Sequence, residues 1–195
     1  MKKKERSVNI PTIEEVENEQ KRLRHRAVYQ RTLRGTIAVL LVVAAISVLV
    51  ATLWMPVLQI YGSSMSPTLE AGQIVVSVKT NQLKTGEVVA FWQGNKLLVK
   101  RVIAGPGQWV DIDMDGNVTV DGKELTEDYL DVKALGNCDV ELPHQVEESR
   151  WFLMGDNRDV SVDSRSVAIG DVSKDQIEGK IVFRIWPLNK IGSIQ

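Results

Sequence analysis

The feature that most constrains the fold of this chain is a long uncharged segment near its amino end. No charged residue occurs in residues 35–69, and residues 36–55 are almost all Ile, Ala, Val and Leu. Twenty residues of α-helix rise about 30 Å, which matches the hydrocarbon thickness of a bilayer. Residues 35–56 therefore predict a single transmembrane helix, with Trp54 as an interfacial anchor and Pro56 at its end.

The length of this segment indicates that it is retained and not cleaved, and the charges around it predict its orientation in the membrane. A cleaved secretory signal is the alternative interpretation, but the apolar run exceeds the about 7 to 15 residues of such a signal. Residues 1–34 contain ten Lys or Arg and five Glu, whereas residues 35–195 carry a net charge of −6. Because positively charged flanks stay in the cytoplasm, we predict a cytoplasmic basic segment 1–34 and an extracytoplasmic domain 57–195.

The chain beyond the apolar segment has the pattern of a β domain. Runs rich in β-branched and apolar residues alternate with turns, and Asp121-Gly122 is a strong two-residue hairpin signal. We predict a mainly β protein, in which an all-β, barrel-like domain follows the helix and contains a less regular insertion at about residues 111–149. The predicted strands are residues 73–79, 87–92, 96–103, 109–113, 118–120, 123–125, 151–154 and 179–186, and residues 57–61 are predicted to be extended.

The turn after the apolar segment is suited to hold a reactive serine. Residues 62–69 read Gly-Ser-Ser-Met-Ser-Pro-Thr-Leu. Gly62 permits a positive φ or a close backbone approach, and Pro67 restricts both itself and Ser66. A Ser-rich surface turn is the alternative interpretation. If the turn is functional, Ser64 is the candidate nucleophile, and its hydroxyl then needs a base.

The possible bases for this serine are few. Of the two histidines, His25 lies on the predicted cytoplasmic side, so a Ser-His-Asp triad would depend on His144 alone. Lys100 lies inside the apolar run 97–103, and burial there would lower its pKa enough to supply neutral amine. A lysine that reaches the surface from a strand edge is the alternative. Cys138, the single cysteine, has no obvious activating neighbour and forms no intramolecular disulfide.

Residues 154–165 form a third unusual stretch. Three acids, two arginines, an Asn and two serines in twelve residues exclude a strand core. A solvated loop or a metal-binding loop is the alternative interpretation, but the ligand spacing of a calcium loop is missing. The functional hypothesis is a polar network that orients a buried Lys100, while its acids pair with Arg101 and Arg165.

Together, in this order after an apolar helix, the three stretches resemble the motifs of bacterial type I signal peptidases, the Ser–Lys leader peptidases of family S26. Residues 64–69 resemble the nucleophile motif S-M-x-P-T-L, and residues 100–107 resemble the lysine motif. Residues 155–165 resemble the box G-D-N-R-D-x-S-x-D-S-R. The resemblance covers most of the chain and implies a membrane-bound serine endopeptidase that removes signal peptides from exported preproteins after an Ala-x-Ala-type site.

The resemblance also implies roles for individual residues. Ser64 would be the nucleophile, Lys100 the general base and Ser161 the hydroxyl that orients the lysine amine. The supporting charged residues would be Asp163, Arg165, Asp156 and Arg101. Shallow apolar pockets for the small residues of the substrate would be formed by Ile60, Met65, Leu69 and Val99. Gly62 stands where some members carry a Ser that helps the oxyanion hole, so the oxyanion would depend on the Ser64 N–H.

The expected partners are signal peptides and the lipid bilayer of the bacterial cell membrane, and no metal or cofactor is implied. Nucleic-acid binding is not expected, because the basic residues are few and lie beside the membrane segment. A non-catalytic relative in surface-fibre assembly would be expected to lack the serine or the lysine. A self-cleaving transcriptional repressor would need a DNA-binding module and no membrane segment. The sequence therefore favours the protease.

Overall fold

The chain divides into two compact units, Met1–Val50 and Ala51–Gln195, in a computed structural model that describes residues 12–80 and 82–194. The first eleven residues of the predicted cytoplasmic segment therefore lie outside the described residues. A long helix, α1 (Ile13–Trp54), precedes the described strands. At its start Thr12 and Glu15 form a reciprocal capping box, which satisfies N–H groups that have no partner within the helix.

Helix α1 is continuous through the basic and the apolar segments. Its most apolar 18-residue stretch has a mean hydropathy of 2.8, and α1 is the one helix among the described residues that is long and apolar enough to cross a membrane. The hydroxyls of Thr36 and Ser47 donate to carbonyls four residues earlier, so these polar groups are satisfied within the helix. No break occurs at residue 34, and the membrane boundary given to that residue stays a prediction.

The second unit is built from antiparallel strands. Their bounds are β1 (Val57–Gln59), β2 (Ile74–Val78), β3 (Val88–Gln93), β4 (Lys96–Ala104), β5 (Trp109–Ile112), β6 (Val118–Val120), β7 (Lys123–Glu124), β8 (His144–Gln145), β9 (Arg150–Met154), β10 (Val172–Ser173), β11 (Ile177–Trp186) and β12 (Gly192–Ser193). The large sheet has the order β1-β2-β11-β3-β4-β9-β10, and β12 pairs with β11. The small sheet has the order β7-β6-β5-β8.

The prediction of a mainly β protein after one apolar helix is confirmed. Every strand predicted from the sequence overlaps an observed strand, and Asp121 and Gly122 both have positive φ in the turn between β6 and β7. The short strands β8, β10 and β12 were not predicted. Among the described residues, the hydrogen bonds leave β1 and β10 as the ends of the large sheet, so the strands form no continuously bonded barrel.

Two hydrophobic clusters of the large sheet lie on opposite faces of β4. Leu97 and Val99 pack against a cluster that includes Val75, Val88 and Ile181. Leu98 packs against a second cluster, whose buried members are Val89, Phe91, Val102, Trp151, Leu153 and Val172. Alternation along the strand explains this division, because successive side chains point to opposite faces. The middle of β4 is therefore held from both sides.

Candidate active site

Ser64 lies in a turn between β1 and β2 that is anchored on both sides. Before it, Gly62 has a φ of +82°, a conformation that favours glycine. After it, the Leu69 N–H donates to the Met65 carbonyl over 2.8 Å. The side chains of Ile60, Met65 and Leu69 are all buried in the same hydrophobic cluster. The half-buried Ser64 is therefore presented by a turn whose flanking side chains are fixed.

Lys100 reaches this serine from the middle of β4. Its Nζ lies 2.7 Å from Ser64 Oγ and donates to it, and only 3% of the residue is exposed. Burial lowers the pKa of Lys100 from 10.5 to about 8; Arg165 adds to the decrease, while Asp163 and Asp156 oppose it. Roughly a fifth of the amine is then neutral at about pH 7.4. Lys100 is a buried amine with access to the serine proton, and the alternative of a surface lysine is wrong.

The loop after β9 packs directly against the serine turn. The Asn157 N–H donates to the Ser64 carbonyl over 3.0 Å. A Cβ on Gly155 would lie 2.5 Å from the Ser64 carbonyl oxygen and 2.2 Å from Ser161 Oγ, so only glycine fits there. The Ser161 hydroxyl is buried and makes no regular hydrogen bond within the described part of the chain. It is still close enough to Asp163 to help lower the pKa of that carboxyl group.

Asp163 and Arg165 form a fully buried pair in the same loop. The Arg165 guanidinium donates to both carboxylate oxygens over 2.8 and 2.9 Å. Burial alone raises the pKa of Asp163, but Arg165 and the Gly155 N–H outweigh this effect and the pKa is lowered. Arg165 also donates to the Leu135 carbonyl over 2.6 Å. The charged pair therefore joins the loop to the segment around Leu135.

Arg101 and Asp156 form a second buried pair, which connects all three stretches singled out in the sequence. Arg101 donates to the two Asp156 oxygens over 2.9 and 2.7 Å. Thr68, four residues after Ser64, donates to Asp156 over 2.5 Å. The Gly86 carbonyl accepts a further bond from Arg101. The serine turn, β4 and the polar loop thus meet at the Asp156 carboxylate. Arg101 and Asp156 lie together, as the sequence analysis expected.

The sequence analysis missed a third group, formed by Tyr129, Glu127 and Arg158. The Arg101 guanidinium lies 3.8 Å from the centre of the Tyr129 ring, and the Tyr129 hydroxyl donates to Glu127 over 2.9 Å. Glu127 forms a buried ion pair with Arg158, which also donates to the Gly155 carbonyl. Burial and the Glu127 charge raise the pKa of Tyr129. Arg158 belongs to the polar box, but no motif or spacing indicates that residues 127 and 129 pack beside it.

The other candidate side chains lie outside this arrangement. His144 Nε2 pairs with Asp171 at 3.0 Å, and Ser64 is bonded to Lys100 instead. A Ser-His-Asp triad through His144 is therefore wrong. Cys138 is half-buried, and burial raises the pKa of its thiol. This is the small packed side chain that the sequence analysis expected, and not an activated nucleophile.

A groove of about 530 Å³ opens beside Ser64 and Lys100. Its lining includes Ile60, Met65 and Val99, three of the four predicted substrate contacts. Leu69, the fourth, is fully buried in the underlying cluster and does not line the groove. The full lining is Val57, Leu58, Gln59, Ile60, Tyr61, Gly62, Ser64, Met65, Trp92, Asn95, Leu97, Leu98, Val99 and Lys100.

The two walls of the groove both present free strand edges. Within the described residues, β1 pairs only with β2, which leaves its other edge open. Residues 96–100 of β4 pair with β3, whereas β9 pairs with β4 only from Arg101 onward. Unpaired edge groups of this kind bind an extended peptide through main-chain hydrogen bonds. The groove can therefore hold a peptide strand whose backbone passes the Ser64–Lys100 contact.

Comparisons with known proteins identify relatives of this chain. The family model described as "Signal peptidase, peptidase S26" matches residues 33–186. Signal peptidase IB of Staphylococcus aureus (strain COL) is 38% identical over 152 residues, which are 67% of this chain and 78% of that protein. Signal peptidase I of Bacillus licheniformis is 33% identical over 170 residues, 79% of this chain and 88% of that protein. A solved signal peptidase I from Enterococcus faecalis V583 covers 52% of this chain and 98% of its own, with 25% identity and a TM-score of 0.43.

Proposed function

The chain belongs to the signal peptidase family, peptidase S26, and from this premise we propose that it cleaves exported preproteins after an Ala-x-Ala-type signal with a Ser64–Lys100 dyad. It is a serine peptidase that removes signal peptides. The observation that carries the residue assignment is the 2.7 Å contact between Lys100 Nζ and Ser64 Oγ. A buried amine with a pKa of about 8 is suited to take the proton of a hydroxyl at that distance.

The proposed reaction has two halves with one base. Ser64 Oγ attacks the carbonyl carbon of the scissile bond while neutral Lys100 accepts the hydroxyl proton. The tetrahedral intermediate collapses as the C–N bond breaks, and Lys100 returns the proton to the departing amine of the mature protein. Water then attacks the acyl-enzyme with Lys100 again as base, which releases the signal peptide and regenerates Ser64.

The Ser64 backbone N–H is the proposed oxyanion donor. Among the described residues it donates to no other acceptor, so it is available to the substrate. A Cβ built on Gly62 meets no atom within 4 Å, which leaves the space before the nucleophile open. Each well-aligned oxyanion donor is worth about 3 kcal/mol of transition-state stabilisation. With Gly62 in place of a serine, the main-chain donor carries more of this stabilisation.

The remaining site residues have supporting roles in this proposal. The buried Ser161 hydroxyl makes no hydrogen bond to Lys100 in this structure, and we propose that it turns to the Lys100 amine when substrate binds. Asp163 and Arg165 hold the loop that carries Ser161. Arg101 and Asp156 join the serine turn to β4. No step in this chemistry calls on a metal or a cofactor.

The apolar lining of the groove supports the proposed selectivity for small residues. Ile60, Met65 and Val99 line the groove beside Ser64, and we propose that their side chains accept a small residue and exclude a large one. We propose that the substrate lies extended between the free edges of β1 and β4. Alternate side chains, at positions −1 and −3 before the cut, then point to this same apolar face.

The apolar helix and the family together indicate a membrane-anchored protein. We propose that residues 35–56 span the bacterial cell membrane once, that residues 1–34 lie in the cytoplasm and that residues 57–195 act on its outer side. The positive charge before the span supports this orientation. Signal peptides reach the same outer surface during export.

The test is cleavage of a preprotein with an Ala-x-Ala signal by the detergent-solubilised full chain between pH 6 and 10. We expect cleavage after the second Ala, checked by the mass of the product, with a rate that rises through about pH 8 as Lys100 loses its proton. Ser64→Ala should be inactive, whereas Ser63→Ala is the matched control in the same turn and should retain activity. Strong cleavage by Ser64→Ala, or a rate independent of pH, would contradict the assignment.

A further inference from the structure

A second cavity, of about 380 Å³, lies beside Lys100 and has no role in the reaction described so far. Its lining residues are Gln93, Lys96, Leu98, Lys100, Val162 and Ile169. Leu98 and Lys100 also line the substrate groove, so the two cavities share two residues of β4. A peptide bound along β4 would therefore pass beside both cavities.

The alternation of β4 decides which substrate side chains would do so. Leu97 and Val99 face the cluster under the apolar walls of the groove, whereas Leu98 faces the opposite cluster. The second cavity takes its β4 residues from that opposite face. A strand bound along the edge of β4 alternates in the same way. If positions −1 and −3 point to the Val99 face, positions −2 and −4 point to the face of β4 that lines the second cavity.

The lining also indicates which side chains fit. Leu98, Val162 and Ile169 provide apolar surface, and Val162 is 54% exposed although it lies between two buried residues. Gln93 forms a fixed wall, because it donates to the Ala168 carbonyl and accepts from Gln176. Lys96 is exposed and makes no ion pair with the described residues. The cavity thus combines an apolar floor with a positive rim.

We propose that this cavity is a second specificity site, which binds the side chains at positions −2 and −4 of the signal peptide and favours long apolar or acidic groups over basic ones. The inference depends on the proposed Ser–Lys cleavage and extends it from the −1 and −3 positions to the alternate ones. Each extended residue advances about 3.3 Å, so the four residues from Lys100 to Lys96 are long enough for both positions.

The first experiment compares two preproteins that share Ala at −1 and −3 and carry either Ala or Leu at both −2 and −4. We expect kcat/KM to be about tenfold higher for the Leu pair, since apolar contacts of this size give discrimination of that order. Val162→Trp, which fills the cavity, should bring the ratio close to one. Val160→Trp is the matched control, because Val160 is 57% exposed in the same loop and does not line the cavity.

The second experiment tests the positive rim with Glu or Lys at position −4. The parent should prefer Glu by about threefold to tenfold at low salt, and Lys96→Glu should reverse the preference. Lys123→Glu, an exposed lysine on the small sheet, is the control for net charge and should leave the preference unchanged.

The outcomes separate the two proposals. Equal cleavage of the Ala and Leu substrates by the parent, or an equal loss of discrimination in Val162→Trp and Val160→Trp, would overturn the second specificity site alone. A parent that cleaves neither substrate would overturn the proposed function and this inference with it.

Discussion

Lys100 and Arg101 are adjacent on β4 and nearly equally buried, but only Arg101 is paired with a carboxylate. Lys100 is 3% exposed and has the Ser64 hydroxyl as its hydrogen-bond partner. Arg101 is 1% exposed and donates to both oxygens of Asp156, to the Gly86 carbonyl and to Thr68. Strand alternation puts the two side chains on opposite faces. One face of β4 therefore holds a cation that is fully compensated, and the other holds one that is not.

The contrast between Arg101 and Lys100 explains how a buried lysine can act as a base although buried carboxylates lie nearby. A guanidinium does not lose its proton in a protein, so its burial requires a compensating carboxylate. An amine without such a partner responds to burial by a lowered pKa. Asp156 and Asp163 both tend to keep Lys100 charged, but each is engaged by an arginine, and Arg165 itself opposes the charge. The arginines therefore leave burial as the dominant effect on Lys100.

The largest expected effect comes from making residue 100 either permanently charged or permanently neutral. Lys100→Arg keeps the charge but cannot act as a base, and Lys100→Met keeps the length without the amine. We expect both to lower kcat for preprotein cleavage by about 10⁴-fold or more, as for other members of catalytic dyads and triads. Lys84→Met, at an exposed lysine, is the control. Cleavage by Lys100→Arg within tenfold of the parent would exclude Lys100 as the base.

The next largest effect is on stability and concerns the buried pair of Arg101 and Asp156. Asp156→Ala removes the carboxylate and leaves Arg101 buried without it. We expect a loss of about 3 to 5 kcal/mol in the free energy of unfolding, measured by denaturant titration of the solubilised chain with tryptophan fluorescence. Asp159→Ala removes an exposed acid from the same loop and should change stability by less than about 0.5 kcal/mol. Similar losses of stability in both variants would show that the buried Arg101–Asp156 pair contributes no more to stability than an exposed acid does.

Replacing Lys100, on the other face of β4, should instead raise the free energy of unfolding. The folded pKa of Lys100, about 8, lies below its ordinary 10.5, so between these values the unfolded chain binds more protons and stability rises with pH. Below about pH 8 the full penalty is present. Lys100→Met should therefore raise the free energy of unfolding by up to about 3 kcal/mol at pH 7, and its advantage should shrink as the pH approaches 10.5. An advantage that does not change with pH would assign it to packing and not to charge.

The smallest effect is that of the ring over Arg101. Tyr129→Leu removes the aromatic face and should lower the free energy of unfolding by about 1 kcal/mol more than Tyr129→Phe, which keeps it. Denaturant titration of both variants measures the difference. Equal losses would mean that the destabilisation comes from losing the hydroxyl bond to Glu127, and not from losing the ring beside Arg101.

Much of the fold could be predicted because its strands and turns depend on short stretches of sequence. Periodicity of 2 identified most strands, and Asp121-Gly122 identified a hairpin, because these patterns depend on neighbouring residues. The short strands β8, β10 and β12 have too few residues for any pattern, and their pairing depends on partners distant in sequence. The Tyr129 and Glu127 contacts were missed for the same reason.

The amino-acid sequence alone predicted the apolar helix, the β class of the domain and the candidate nucleophile and base, because residue types and short-range order carry that information. Only the tertiary structure decided that Lys100 is buried against Ser64, that Asp156 joins three distant segments, and that Leu69 belongs to the core and not to the groove. These depend on burial and on contacts between residues far apart in the chain. Desolvation and ion pairing, which set the charge of Lys100, exist only once the chain has folded.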